Sequence, residues 1–187
     1  NYFAPAEVPA SLLELTNARW RGKVSLAYPM FGTTATHFLA LRQHWGETNW
    51  LAWCRALAAN RPFLEEGNSG VVKRVGRGAA VIGLTDSDDI TAGQREGLPV
   101  MALPLTAEML LIPNTVCVTR GAPQPTAAQQ LFAWLKQPDT VRRLVQEGAL
   151  EGASPAEVKT RTLQPDWAAL LRELDRGTEQ MKEIFLR

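Results

Sequence analysis

The sequence predicts an open α/β fold built on a largely parallel sheet, and three strand ends predict it. The apolar run Val81-Ile82-Gly83-Leu84 stops at Thr85-Asp86-Ser87-Asp88-Asp89. Lys23–Pro29 runs into Gly32-Thr33-Thr34, and Phe63–Glu66 runs into Gly67-Asn68-Ser69. Helical spacing follows each end, and strands alternating with helices imply βαβ units. In such folds, ligands bind outside the carboxyl ends of the strands, where loops lead into helix N-termini. The pattern therefore predicts one polar site assembled from three loops, and binding rather than catalysis.

Taken in order, residues 1–20 are rich in proline and polar breaks, with a short helical piece around Ser11–Leu15, and read as a connection. A strand near Lys23–Tyr28 feeds a helix from Thr33 to about Trp45. A second helix over Glu47–Asn60 carries Trp50, Leu51, Trp53, Cys54 and Leu57 at helical spacing. A strand near Pro62–Glu65 leads to a short helix from Ser69. The strand Ala79–Leu84 follows, then a helix from Asp88 to Glu96 and strands near Pro99–Leu103 and Leu110–Thr119. After Gly121-Ala122-Pro123-Gln124-Pro125 only helices remain: Thr126–Lys136, Asp139–Glu147 with Gly148 as its stop, and Asp166–Phe185. The last places Trp167, Leu170, Leu171 and Leu174 on one face. There is no internal repeat or low-complexity tract.

Composition narrows the function classes. A chain of 187 residues with 45% hydrophobic and 21% charged residues can bury a core and is not disordered. Its net charge of +1 carries no broad electrostatic footprint for nucleic acid. No apolar run approaches a bilayer-spanning length. Asn1-Tyr2-Phe3-Ala4-Pro5 lacks the basic and apolar regions of a signal peptide, which fits a cytoplasmic chain or the mature part of an exported one. Cys54, in a helix, and Cys117, in an apolar strand, have no metal spacing and are expected as buried free thiols, with a single disulfide as the alternative.

The candidate site residues each have a structural alternative. Gly32, Thr33 and Thr34 suit an anion site at a helix start, or simple capping. Asn68 and Ser69 suit the same two roles. Thr85, Asp86, Ser87 and Asp88, with Asp89, hold more carboxylates than capping requires, and clustered carboxylates repel unless solvated, protonated or facing a cation. Asp86 and Asp88 are the metal candidates, although the spacing does not fit an EF-hand loop. His37 and His44 are expected to be structural, and all six tryptophans are expected to pack in the core.

Several phrases carry a resemblance. "WRGKVSLAYPMFGTTATHFLAL", "GNSGVVKRVGRGAAVIGLTDSDD" and "LLIPNTVCVTRGAPQPTAAQQLFAWL" resemble extracellular solute-binding proteins of ABC importers, in particular the ferric-ion-binding type, as does the closing "PDWAALLRELDRGTEQMKEIFLR". The resemblance implies the periplasmic-binding-protein-like type II fold: two α/β lobes, a ligand held between them, and closure about a hinge that a membrane permease reads. It implies residues 1–20 as the inter-lobe connection and 21–108 as the second lobe. Residues 109–187 would then be the return strand and C-terminal helices of a first lobe whose opening half is absent.

The same resemblance implies an exported, extracytoplasmic protein that is no enzyme, with a small solute or metal ion as ligand and an ABC permease as partner. A dimer formed through an apolar face left uncovered is a further expectation. No resident cofactor is implied, since a metal would be transported cargo. In the ferric-binding branch Gly32, Thr33 and Thr34 match an anion-holding loop, and Asn68 and Thr85 match other anion contacts. Ser87-Asp88 stand where that branch places an iron-coordinating tyrosine pair. The competing functions are a metal-dependent enzyme acting on a phosphorylated substrate and the ligand-sensing domain of a regulator.

Overall fold

A computed structural model describes residues 8–103, 107–158 and 162–186. Its contacts divide it into two compact units, Asn1–Leu111 with Thr160–Arg187, and Ile112–Lys159.

The first unit is built on a parallel sheet in the order β2-β1-β3, with β1 at Val24–Ala27, β2 at Phe63–Glu65 and β3 at Ile82–Leu84. Ser25 pairs in register with Phe63 on one side and Gly83 on the other. All of Val24-Ser25-Leu26-Ala27 is buried, as expected of a central strand covered on both faces. Because the first strand lies in the middle, the chain leaves β1 toward one edge and returns from β2 to the other. The gap between β1 and β3 is therefore a switch point, where an α/β sheet opens a crevice at its carboxyl end.

Helices α1 (Gly32–Trp45), α2 (Glu47–Ala59), α3 (Asn68–Gly76) and α4 (Ser87–Arg95) follow these strands. Phe38, Leu39, Leu41, Trp50, Cys54 and Leu57 bury the facing sides of α1 and α2, and the Phe38 and Trp53 rings sit 5.1 Å apart. The final helix α7 (Trp167–Phe185) packs on both: Met181 is fully buried, and Gly177 lies where an added Cβ would overlap Leu39. An ionic network holds the same corner. Arg42, whose side chain is 9% exposed, bonds Glu173 at 2.9 Å and Glu47 at 3.1 Å, and Arg176 bonds Glu47 at 2.9 Å.

The second unit contains α5 (Pro125–Leu135), α6 (Pro138–Gln146) and a 3-10 turn at Pro155–Glu157. Pro125 and Pro138 occupy the first turn of each helix, where a missing N–H costs nothing. Among the described residues no helix is long and apolar enough to cross a membrane.

Four expectations need correction. Residues 99–103 form no strand, because the chain folds back on α4: Leu98 N–H bonds Gly93 O at 2.9 Å, Val100 N–H bonds Leu98 O, and Gln94 Nε2 takes Val100 O. Those bonds take the N–H and C=O of Val100 from any ladder. Over 110–119 the only sheet-like pairing is the isolated bridge Leu110↔Leu163, since Pro113 removes a donor and no described strand lies alongside. Cys117 is consequently exposed rather than buried. Trp134 and Trp167 are also 53% and 43% exposed, so not every tryptophan is core. The opening of the expected 1–20 connection, residues 1–7, lies outside the described residues; the part that follows forms 3-10 turns at Leu12–Thr16 and Ala18–Trp20.

Candidate functional site

The carboxyl ends of β1, β2 and β3 each run within a few residues into the first turn of α1, α3 and α4. Gly32 opens α1 at φ +58°, a left-handed conformation that glycine adopts without strain, and this turn brings Thr33 over the end of the sheet. Asn68 is the first residue of α3, and Asp86 is the N-cap of α4.

These three side chains meet. Thr33 Oγ1 donates to Asp86 Oδ2 at 2.8 Å, and Asn68 Nδ2 donates to the same oxygen at 2.7 Å. Asn68 Nδ2 also lies 3.1 Å from Thr33 Oγ1. A carboxylate only accepts, so the amide nitrogen of Asn68 must face Asp86. Its other end, Oδ1, is buried without a partner. Thr85 Oγ1 ties the assembly to α3 through Asn68 O at 3.2 Å.

Around Asp86 the charge is negative. Oxygens of Asp86, Asp88 and Asp89 lie within 4.8 Å of one another, with Asp88 exposed and the other two half-buried. Burial pushes the Asp86 carboxyl above its ordinary range, with Asp88 adding to the rise, against the opposing bonds from Thr33 and Asn68 and the nearby His37. The Asp89 carboxyl is raised for the same reasons: burial first, then its aspartate neighbours.

The remaining expected residues contribute less directly. Thr34 is half-buried in the first turn of α1. Ser69 and Ser87 stand exposed on the first turns of α3 and α4, with no described hydrogen bond from their hydroxyls to the trio.

Two neighbours escaped the sequence. Phe31, just before Gly32, is 70% exposed on the loop leading into α1. His37 lies one turn along α1 from Thr33, and its Nε2 pairs with Glu108 O at 2.7 Å. A carbonyl only accepts, so Nε2 carries the proton; burial lowers the imidazole pKa, partly offset by Glu108 and Asp86. The Glu108 carboxylate reaches the other way, accepting from Ser11 Oγ at 2.8 Å and Leu12 N–H at 2.6 Å. A helical heptad separates His37 from His44, and nothing in that spacing reveals a partner 71 residues away.

The polar wall lies at the carboxyl end of a parallel sheet, where open α/β folds hold their ligands. Residues 4–149 match the profile for bacterial extracellular solute-binding proteins. The chain belongs to that family. Among solved structures, this solute-binding protein is similar to iron-bound HitA from Pseudomonas aeruginosa, with a TM-score of 0.65 and 19% identity over 96% of this chain and 62% of that one. It is similar to apo FutA2 from Synechocystis PCC6803, with a TM-score of 0.62 and 17% identity over 100% of this chain and 66% of that one. It is also similar to the Bordetella ferric binding protein, with a TM-score of 0.59 and 16% identity over 95% and 64% of the two chains. At these identities the likeness is one of fold. The solute-binding protein spans under two thirds of the length of these structures. No match was found among curated proteins.

Proposed function

We propose that this chain is the ligand-binding part of an extracytoplasmic receptor for an ABC importer, and that its wall takes a cationic solute, with ferric ion as the first candidate. The observation that carries the proposal is the convergence of Thr33, Asn68 and Asp86 on one oxygen, flanked by Asp88 and Asp89, where three parallel strands end. Carboxylates raised by burial and mutual repulsion gain most from a cation that neutralises them. The HitA structure is iron-bound, and the Bordetella protein is a ferric binding protein. Phenolates are not needed for such a site in principle, since carboxylate oxygens suit hard cations.

In the proposed receptor the described wall would form one side of a cleft, and closure about the cargo would signal the permease. Neither the phosphoesterase nor the regulator alternative gains an observation of its own. The test is titration of the apo chain with ferric nitrilotriacetate, followed by tryptophan fluorescence. Asp88→Ala, an exposed change that leaves the Asp86 bonds in place, is expected to weaken binding at least tenfold. Equal affinity in the variant, or no ferric binding by the wild type, rejects the cargo assignment.

A further inference from the structure

We infer that Asp86 is a built-in counter-anion: its carboxylate fills the donor-lined end of the wall, so a cation is taken there without a separate small anion beside it. The inference rests on the cation reading above and specifies what must accompany the cargo.

The end of the sheet is arranged as an anion would want it. Helices α1, α3 and α4 all begin there, and none has a side-chain hydrogen bond capping its first turn. First-turn N–H groups and the positive end of the helix dipole attract negative charge. Thr33 and Asn68 add a hydroxyl and an amide donor. Those two donors are nevertheless engaged by Asp86 Oδ2, at 2.8 and 2.7 Å.

Asp86 has the position of an N-cap, whose side chain ordinarily turns back onto its own helix. Here it reaches instead to α1 and α3, where charge-assisted bonds are stronger than neutral ones. A free anion entering the wall would meet Asp86, with the Asp88 and Asp89 oxygens within 4.8 Å, whereas a cation would meet a carboxylate already oriented by two bonds. Asp86 is thus the specificity-determining residue: it excludes phosphate-like ligands from the donors and supplies the negative charge a cation requires.

The deciding experiment uses the apo chain and inorganic phosphate, read by calorimetry, so it does not depend on the identity of the cargo. Wild type is expected to bind phosphate at least tenfold more weakly than Asp86→Ser, which frees the donors while keeping a capping residue. Adding Thr33→Val to Asp86→Ser is expected to remove the gained binding. Wild type binding phosphate as tightly as the variant overturns the inference, and so does a folded Asp86→Ser protein that gains none. A measurement on wild type alone stands if the variant does not fold: ferric affinity in bicarbonate-free buffer and with added bicarbonate is expected to agree within twofold, and a tenfold rise with bicarbonate overturns the inference. Failure of ferric binding with success of the phosphate comparison would remove iron as cargo and leave the role of Asp86 intact.

Discussion

Thr33 and Asp86, 53 residues apart in sequence, share a 2.8 Å hydrogen bond across the ends of β1 and β3. The bond joins the starts of two helices and holds a half-buried carboxylate away from its own helix. Thr33→Val would leave that carboxylate facing a methyl group. The expected cost is about 1–2 kcal/mol, the penalty for a partly buried charge losing a donor. Because the Thr33 bond opposes the rise in the Asp86 pKa, its loss should push that carboxyl further up. Carbon-detected NMR titration of Asp86 checks this, and an unmoved titration would contradict it.

His37 should make stability sensitive to mild acid. Its folded pKa lies below the ordinary 6.5 because burial disfavours the imidazolium, so the unfolded chain binds more protons between the two values. Its contribution is complete above pH 6.5 and declines as pH falls toward the folded value. The slope approaches about 1.4 kcal/mol per pH unit inside that window. Asp86 and Asp89, whose folded pKa values are raised, act in the opposite sense at lower pH, and both persist in a His37→Gln variant. Denaturant midpoints for the two proteins should therefore converge as pH falls through the window, and a constant difference would show that His37 does not titrate there.

Arg42 holds three elements together. It pairs with Glu47 at the start of α2 and Glu173 on α7, and it lies 5.8 Å from the Trp50 ring centroid. Arg42→Ala should cost about 1–2 kcal/mol, since it leaves Glu47 and Glu173 with Arg176 as their remaining cation and strips cover from Trp50. Urea unfolding measures it; a loss under about 0.5 kcal/mol would mean the pair behaves as an ordinary surface bridge.

Gly177 lies on the face of α7 that packs on α1, and Leu39 fills the space a side chain would need. Glycine inside a helix normally gives way to alanine with a gain of about 0.5–1 kcal/mol. Here the sign should reverse, with Gly177→Val destabilising by about 2 kcal/mol through overpacking against a buried leucine. Thermal unfolding of the Ala and Val variants tests both, and a stabilised Val variant would show that α7 can lift away freely.

The alternating α/β order and the three strand ends were legible because both depend on local signals: apolar runs, helical spacing and turn residues. The helix spans agree with expectation to within about two residues, the uncertainty of any helix boundary. Pairing is not local, which is why Pro99–Leu103 and Leu110–Thr119 had the composition of strands without becoming them. The same limit applied at the site. Thr33, Asn68 and Asp86 were each legible as a capping or binding residue, but no spacing reveals that the aspartate would forgo its own helix for two others. His37 was hidden more deeply, since its partner is a backbone carbonyl, which carries no sequence signature. Cys117 and Trp134 stayed exposed because apolar character alone does not decide burial.

The contrast between the two cysteines has a practical consequence. Cys54 is sealed in the core with its thiol pushed far up by burial, while Cys117 is exposed. Reagents attack the thiolate, so an alkylating agent at neutral pH should modify Cys117 rapidly and reach Cys54 only in molecules whose core has opened. Mass spectrometry would then separate singly from doubly modified chains, and their ratio over time would count opening events without any engineered label.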